Sequence, residues 1–381
     1  MTPFSFISPG QIVFGRGVAQ DAAALIPPLG TRVLMVRGSS VHWVETLRAE
    51  LEHAGCVVTS FTGHGEPDVA TVARAVNTGR NAAVDVVVAV GGGAVIDLGK
   101  ATAALLPGTT NILDHLEGVG AAAPLGAHPV PFVAIPTTSG TGAEVTKNAV
   151  ISVPDAGRKV SLRDDRMVPD IALVDPALTD DCPRDVTLAS GFDAITQLVE
   201  PYLSHRANAM TDALVREALP QGLNALSRLA TAEDAEARDM MSFASLMGGL
   251  ALANAGLGAV HGLAGVVGGR FSAPHGVICA RLLGPVLIEN NAMMRSTGAD
   301  TTRFEEIARL VSSAFDLPSE TCFESLSALL DQLDVPRLSK WISADADLEA
   351  VVLEASSASS MKANPCVLPP TALHRIMQSA L

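Results

Sequence analysis

No stretch of this sequence is basic. Its 26 Lys and Arg stand against 40 Asp and Glu, giving a net charge of −14 over 381 residues. That balance argues against nucleic acid and anionic membrane as partners. Aromatic residues are scarce at 4% and charged ones reach only 17%, so the core is expected to be mostly Ala, Val and Leu. The five cysteines are scattered, odd in number and without a CxxC, which excludes a disulfide framework. The opening "MTPFSFISPGQIVFG" has no basic region ahead of an apolar block, so no signal peptide is expected and a cytoplasmic location fits.

What is present begins with one long uncharged run. Residues 240–269 carry no charge, a length that suggests a membrane helix. Eight glycines, Asn254 and His261 lie inside it, and no second such run exists. A buried helix pair in a soluble core is the better reading, with glycines allowing close approach.

The first half alternates. "RVLMVRG" (32–38), "CVVTSF" (56–61), "DVVVAVGGG" (85–93) and "PFVAIPTTSGTG" (131–142) read as strands. Helical patterns at 41–55, 69–82 and 94–106 separate them, and "AVISV" (149–153) and "DIALVDP" (170–176) add two strand candidates. Such alternation predicts βαβ units and a parallel, Rossmann-like sheet. Beyond residue 186 only helical spacing remains. The chain is therefore read as an α/β dinucleotide-binding domain (1–185) followed by an all-helical domain (186–381), with the site expected in the cleft between them.

Three motifs carry chemistry. In "AVGGGAVIDLGK" (89–100), glycines end a strand and open a helix, so backbone N–H groups can cradle a phosphate. It is neither a GxGxxG fingerprint nor a P-loop. "PTTSGTGAEVT" (136–146) places hydroxyl-rich loop sequence after the next strand, at the sheet edge where ligands bind. In "GFDAITQLVE" (191–200), Asp193 and Gln197 are four apart and share a helix face. A buried carboxylate needs compensation. His261 and His275, fourteen residues apart in charge-poor sequence, could join Asp193 around a divalent transition metal.

Taken together, these segments resemble the iron-containing (group III) alcohol dehydrogenase family along nearly the whole chain. The specific parts are "GGGAVID", "PTTSGTGAEVTKNAVI" (136–151), "GFDAITQLVE" and "HGLAG…APHG". The resemblance implies a dehydroquinate synthase-like fold: an NAD(P)-binding α/β half, a helical half, and a metal (Fe²⁺ or Zn²⁺) between them. It implies cofactor contacts at Gly91, Gly92, Gly93, Ala94, Asp97, Thr137, Thr138 and Lys159. It maps the metal ligands onto Asp193, Gln197, His261 and His275, which would also be the catalytic groups. A homodimer acting on a small alcohol or aldehyde is the expected assembly and substrate class.

The chain departs from that pattern in two places. Gln197 stands where a histidine ligand is usual, and an amide oxygen is the weaker ligand for Fe²⁺ or Zn²⁺. The related glycerol dehydrogenases hold zinc with one aspartate and two histidines, so Asp193, His261 and His275 suffice in principle. Gly265 stands where many members have a histidine that assists proton transfer. Two further expectations concern specificity. Gly38 and Ser39 follow the first strand with no carboxylate, and Arg37 precedes them, so NADPH should be accepted. Arg270 interrupts the uncharged run near His275 and is a candidate contact for an acidic substrate. The alternatives within the fold are a maleylacetate reductase-like enzyme, a dehydroquinate synthase-type lyase, and a non-catalytic metal-binding relic. The lyase would need clustered Lys and Arg for a phosphate, and the metal-site segments lack such a cluster.

Overall fold

The valine-rich runs form strands buried on both faces, and their residues alternate between two cores. In the computed structural model, which describes residues 3–381, β1 (Gln11–Phe14), β2 (Arg32–Arg37), β3 (Val57–Thr62), β4 (Val86–Gly91), β5 (Phe132–Pro136) and β8 (Ile171–Val174) make one parallel sheet. Its order is β1-β8-β5-β4-β2-β3. Leu34, Val36, Val87 and Ala89 fill one core, while Val33, Met35, Val86, Val88 and Val90 fill the other. The helices of this unit are α1 (Ala22–Leu25), α2 (Trp43–His53), α3 (Val69–Asn81), α4 (Gly93–Leu105) and α5 (Ile112–His115). Residues of α2 line the second core, and those of α3 and α4 line the first.

This strand order has a physical consequence. From β2 the chain runs outward to β3, then returns past β2 to β4 and continues to β5. The carboxyl ends of β2 and β4 thus flank a topological switch point, where open α/β sheets bind their ligands. Gly38 ends β2 there, donating its N–H to Val90 at 3.2 Å.

Two strands were not legible beforehand, and one was misplaced. β1 is short and lies at the sheet edge beside β8. The "AVISV" segment is not a sheet strand: β6 (Asn148–Val153) pairs antiparallel with β7 (Arg158–Arg163) as a separate hairpin. The charged, half-exposed "RKVSLR" of β7 hides its alternation.

The helical unit comprises residues 181–381 with Ser139–Thr141 and residues 3–6, while the α/β unit spans Ile7–Thr138 and Gly142–Asp180. Its helices are α6 (Arg184–Leu203), α7 (Ala209–Leu229), α8 (Ala235–Ala255), α9 (Ala259–Phe271), α10 (His275–Ser296), α11 (Thr302–Phe315), α12 (Cys322–Gln332), α13 (Leu348–Ser356) and α14 (Pro370–Ala380). α6 is buried without interruption from Gly191 to Leu203, as expected of a helix enclosed on every side. The uncharged run 240–269 divides into α8 and α9, bent by 100°. Among the described residues α10 is the one single helix long and apolar enough to cross a membrane, and 61% of its apolar window is buried inside the protein.

Candidate active site

Asp193 sits on α6 with 2% of its surface exposed, and two helix starts bring imidazoles to it. The first start is α9. Its leading N–H groups are taken by side chains: Val260 N donates to Glu200 Oε1 at 2.7 Å, and Ala259 N to Asn364 Oδ1 at 3.1 Å. A carboxylate at a helix N-terminus satisfies orphan donors and complements the dipole. Gly258 makes this approach possible, since a Cβ there would stand 2.9 Å from Glu200 Oε1 and Asn364 Oδ1. The second start is α10, where His275 is the first helical residue. Gly276 lies so close to α6 that a Cβ would meet the Ala189 carbonyl oxygen at 2.2 Å.

The result is a converging set of donors. His261 Nε2 lies 3.3 Å from Asp193 Oδ1, and His275 Nε2 lies 3.8 Å from the same oxygen. His261 Nδ1 is 2.7 Å from Glu200 Oε2. With a cation bound, that contact would hold the ring proton on Nδ1 and leave the Nε2 lone pair for the metal, the usual orientation of a metal-ligating imidazole. Cys279 Sγ lies 3.6 Å from His275 Nε2 and 3.9 Å from His261 Nε2. One donor atom each from Asp193, His261, His275 and Cys279 falls within 4.8 Å of all the others.

Gln197 lies one turn along α6 from Asp193, on the same face, with 3% exposure. Its Oε1 is buried without a hydrogen-bond partner. An orphaned acceptor in such a place costs about 1–3 kcal/mol. Together with nitrogen, oxygen and sulfur donors aimed at one point, it suits a divalent cation.

The electrostatics agree. Burial alone would raise the Asp193 carboxyl, but His275 and His261 hold it below its ordinary value. Burial would lower both imidazoles, yet Cys279, Glu200 and Asp193 push His261 well above 6.5. Cys279 and Asp193 likewise lift His275 to about 9 against its burial. A pocket that raises two histidines against their desolvation has negative potential, and a cation relieves it. His275 is its open member, with 38% of its side chain exposed against 6% for His261.

Glu200 and Cys279 were missed in the sequence, though each had a signal. Glu200 is seven residues after Asp193, and Cys279 is four after His275; both spacings return to the same helix face. Gly265 sits one turn after His261, and a Cβ built on it would meet nothing within 4 Å.

Arg270 is not where its expected role needs it. It is nine residues from His261 on α9, about 180° around the helix and roughly 13 Å along the axis. Its Nε and Nη2 both donate to Glu354 Oε2 on α13, at 2.9 and 2.7 Å. The charge is thus balanced at the protein surface, by an acidic side chain rather than by a substrate.

The cofactor candidates gather on the α/β unit. Gly92 precedes α4 with no side chain capping that N-terminus. Gly91 ends β4, and Gly93 and Ala94 form the first turn of α4. Thr137 N donates to Gly91 O at 3.0 Å, and Thr138 packs against Gly92, so the two loops lie side by side. The other candidates already have partners. Asp97 Oδ2 accepts from Val150 N at 3.0 Å, tying α4 to the hairpin, and Lys159 is ion-paired with Glu66. Ser39 is exposed beyond β2, whereas the Arg37 guanidinium pairs with Glu45.

Comparison with known proteins points one way. A family model described as iron-containing alcohol dehydrogenase matches residues 9–176, and its C-terminal counterpart matches residues 187–381. The NAD-dependent methanol dehydrogenase of Bacillus methanolicus is 34% identical over 326 residues, covering 82% of this chain and 80% of that one. The lactaldehyde reductase of Escherichia coli K12 is 34% identical over 64% of this chain, and the match spans 62% of the reductase. A crystal structure of 1,3-propanediol oxidoreductase superimposes with a TM-score of 0.89 at 26% identity, covering all of both chains.

Proposed function

Since the chain belongs to the iron-containing alcohol dehydrogenase family, we propose that it interconverts a small alcohol and its aldehyde or ketone, using a divalent metal held by Asp193, His261 and His275. It is an alcohol-oxidising oxidoreductase of a family that uses NAD(H) and a metal. The observation that carries the site assignment is the shared Asp193 Oδ1, approached by two imidazole Nε2 atoms, with the unpartnered Gln197 Oε1 one turn along α6. When bound, the metal polarises the substrate oxygen and the nicotinamide exchanges the hydride.

The chain's own residues do the rest. Glu200 fixes the tautomer and orientation of His261 through Nδ1. The burial of Asp193 and His261 excludes water from one side of the donor set, while His275 borders the open side from which substrate enters. Gln197 offers an acceptor to a hydroxyl entering the site. The uncapped start of α4 receives the pyrophosphate, and the Thr137–Thr138 backbone lies along the cofactor. Gly38 and Ser39 receive the adenosine ribose, and their lack of a carboxylate admits NADP as well as NAD. With glycine at 265, this position supplies no side chain to carry the proton.

The test is a panel of short aldehydes and alcohols with NAD(H), before and after chelation. Turnover should vanish on chelation and return with divalent metal. Inactivity of the metal-loaded protein toward the whole panel would overturn the proposal.

A further inference from the structure

We infer that Cys279 is the fourth protein donor of the metal site, so that Asp193, His261, His275 and Cys279 form a near-tetrahedral oxygen–nitrogen–nitrogen–sulfur set that selects zinc and admits the substrate oxygen as a fifth ligand. The inference rests on the proposed metal site and adds to it a ligand at a position where sequence reasoning saw none.

Four of the six donor–donor edges can be compared with a tetrahedron, and the other two are within 4.8 Å. Tetrahedral zinc binds oxygen and nitrogen at about 2.0–2.1 Å and sulfur at about 2.3 Å. Donors on such a tetrahedron stand about 3.3 Å apart for oxygen–nitrogen edges and about 3.5–3.6 Å for nitrogen–sulfur edges. The observed edges are 3.3 and 3.8 Å from Asp193 Oδ1 to the imidazoles, and 3.6 and 3.9 Å from Cys279 Sγ to them. Each is within about half an ångström of its tetrahedral value. Adjacent oxygen and nitrogen donors of an octahedron at the same bond lengths would be only about 2.9 Å apart. All four observed edges are longer than that.

Donor chemistry gives the metal. Carboxylate with imidazoles suits several divalent ions, but a thiolate in a tetrahedral set favours zinc over magnesium, calcium or manganese. The set also accounts for Gln197. A family position that usually carries imidazole here carries an amide whose oxygen has no partner, while a sulfur one turn beyond His275 joins the donors. The alternative for a buried cysteine is to act as a small apolar side chain. Cys279 borders a hydrophobic cluster, as Cys56 and Cys322 do, but its sulfur also has two imidazole nitrogens as polar neighbours. Binding exchanges the thiol proton for the ion and releases that proton to solvent, so no oxidant or reductant is needed.

The experiment uses full-length protein stripped of metal and titrated with Co²⁺ and Zn²⁺. The expected result is one Co²⁺ per chain, with a near-ultraviolet thiolate-to-cobalt charge-transfer band and intense tetrahedral visible bands. Cys279→Ser should lose the charge-transfer band and bind Zn²⁺ at least about 100-fold more weakly, beyond the loss typical of a supporting residue. Cys279→Ala, checked with the serine variant by circular dichroism, provides a second readout should either fold poorly. Cobalt bound without the band, or a band that persists in both variants, overturns the thiolate ligand and leaves the metal site standing. Wild type that binds neither ion overturns both.

Discussion

Glu200→Gln is the sharpest test of how the site is held. The exchange preserves shape but replaces one acceptor oxygen by an NH₂ donor. Wild-type Glu200, 5% exposed, accepts from Val260 N through Oε1 and from His261 Nδ1 through Oε2, each at 2.7 Å. A glutamine cannot keep both contacts and the imidazole tautomer. With its oxygen on Val260, its NH₂ donates to Nδ1, the imidazole proton moves to Nε2, and the Nε2 lone pair is no longer available to a metal. With the amide reversed, two donors face each other in a buried site, at a cost of about 1–3 kcal/mol. Loss of such a carboxylate–histidine partner typically weakens metal binding about 10- to 100-fold, or about 1.4–2.7 kcal/mol. Competition against a chelator of known affinity reads this directly, and thermal unfolding of the metal-free protein reads the second route. Metal affinity within about twofold of wild type, with unchanged metal-free stability, would show that Glu200 does not position His261.

Other perturbations separate the remaining roles. Asp193→Ala should abolish metal retention, Gln197→Ala should weaken it modestly, and Gln197→His should tighten it; equal losses in the two alanine variants, measured by elemental analysis after gel filtration, would refute the unequal roles. Burial raises Glu144 from 4.5 to about 7, so its contribution to stability is full below pH 4.5 and is lost as pH rises through 7. Glu144→Gln should therefore gain about 3 kcal/mol relative to wild type between pH 4.5 and 8, and parallel denaturant curves for the two proteins at both pH values would contradict this. Glu45→Gln frees Arg37 from its ion pair and should shift the kcat/KM ratio toward NADPH by about tenfold; an unchanged ratio removes Arg37 from cofactor choice. Gly265→His should place its Cβ without a clash, because nothing lies within 4 Å of that position. It should add an ionisation near the usual histidine value of about 6.5 to the pH–rate profile, and a profile identical to wild type would deny that face a part in proton transfer.

Much of the architecture follows from the linear order of residues. β2, β4 and β5 are buried on both faces, so near-continuous Val and Ile mark them without ambiguity. The loops after β4 and β5 are consecutive carboxyl-end loops of adjacent parallel strands, which makes their juxtaposition a consequence of topology. Asp193 and Gln197 share a face through helical periodicity alone. Where burial is partial, the pattern fades: β7 alternates charged with apolar residues, and the hairpin it makes with β6 could not be told from a sheet strand.

The donor set depends on contacts that no local pattern encodes. Asp193, His261 and Cys279 are 68 and 18 residues apart in sequence, and only the packing of α6, α9 and α10 makes them neighbours. Gly258 and Gly276 permit that packing by absence of a side chain, a property visible only against the atoms they face. Glu200 and Cys279 had the right helical spacing, but spacing does not say which of several helix faces meets which. Arg270 shows the converse. Five residues from His275 in the chain, it is turned around α9 to the surface, where Glu354 balances its charge. Composition and periodicity determined the layers and the loops that gather at the carboxyl edge of the sheet. Tertiary structure decided which side chains converge on one point, because convergence depends on helix rotation and on interhelical distance, and neither is a property of one segment.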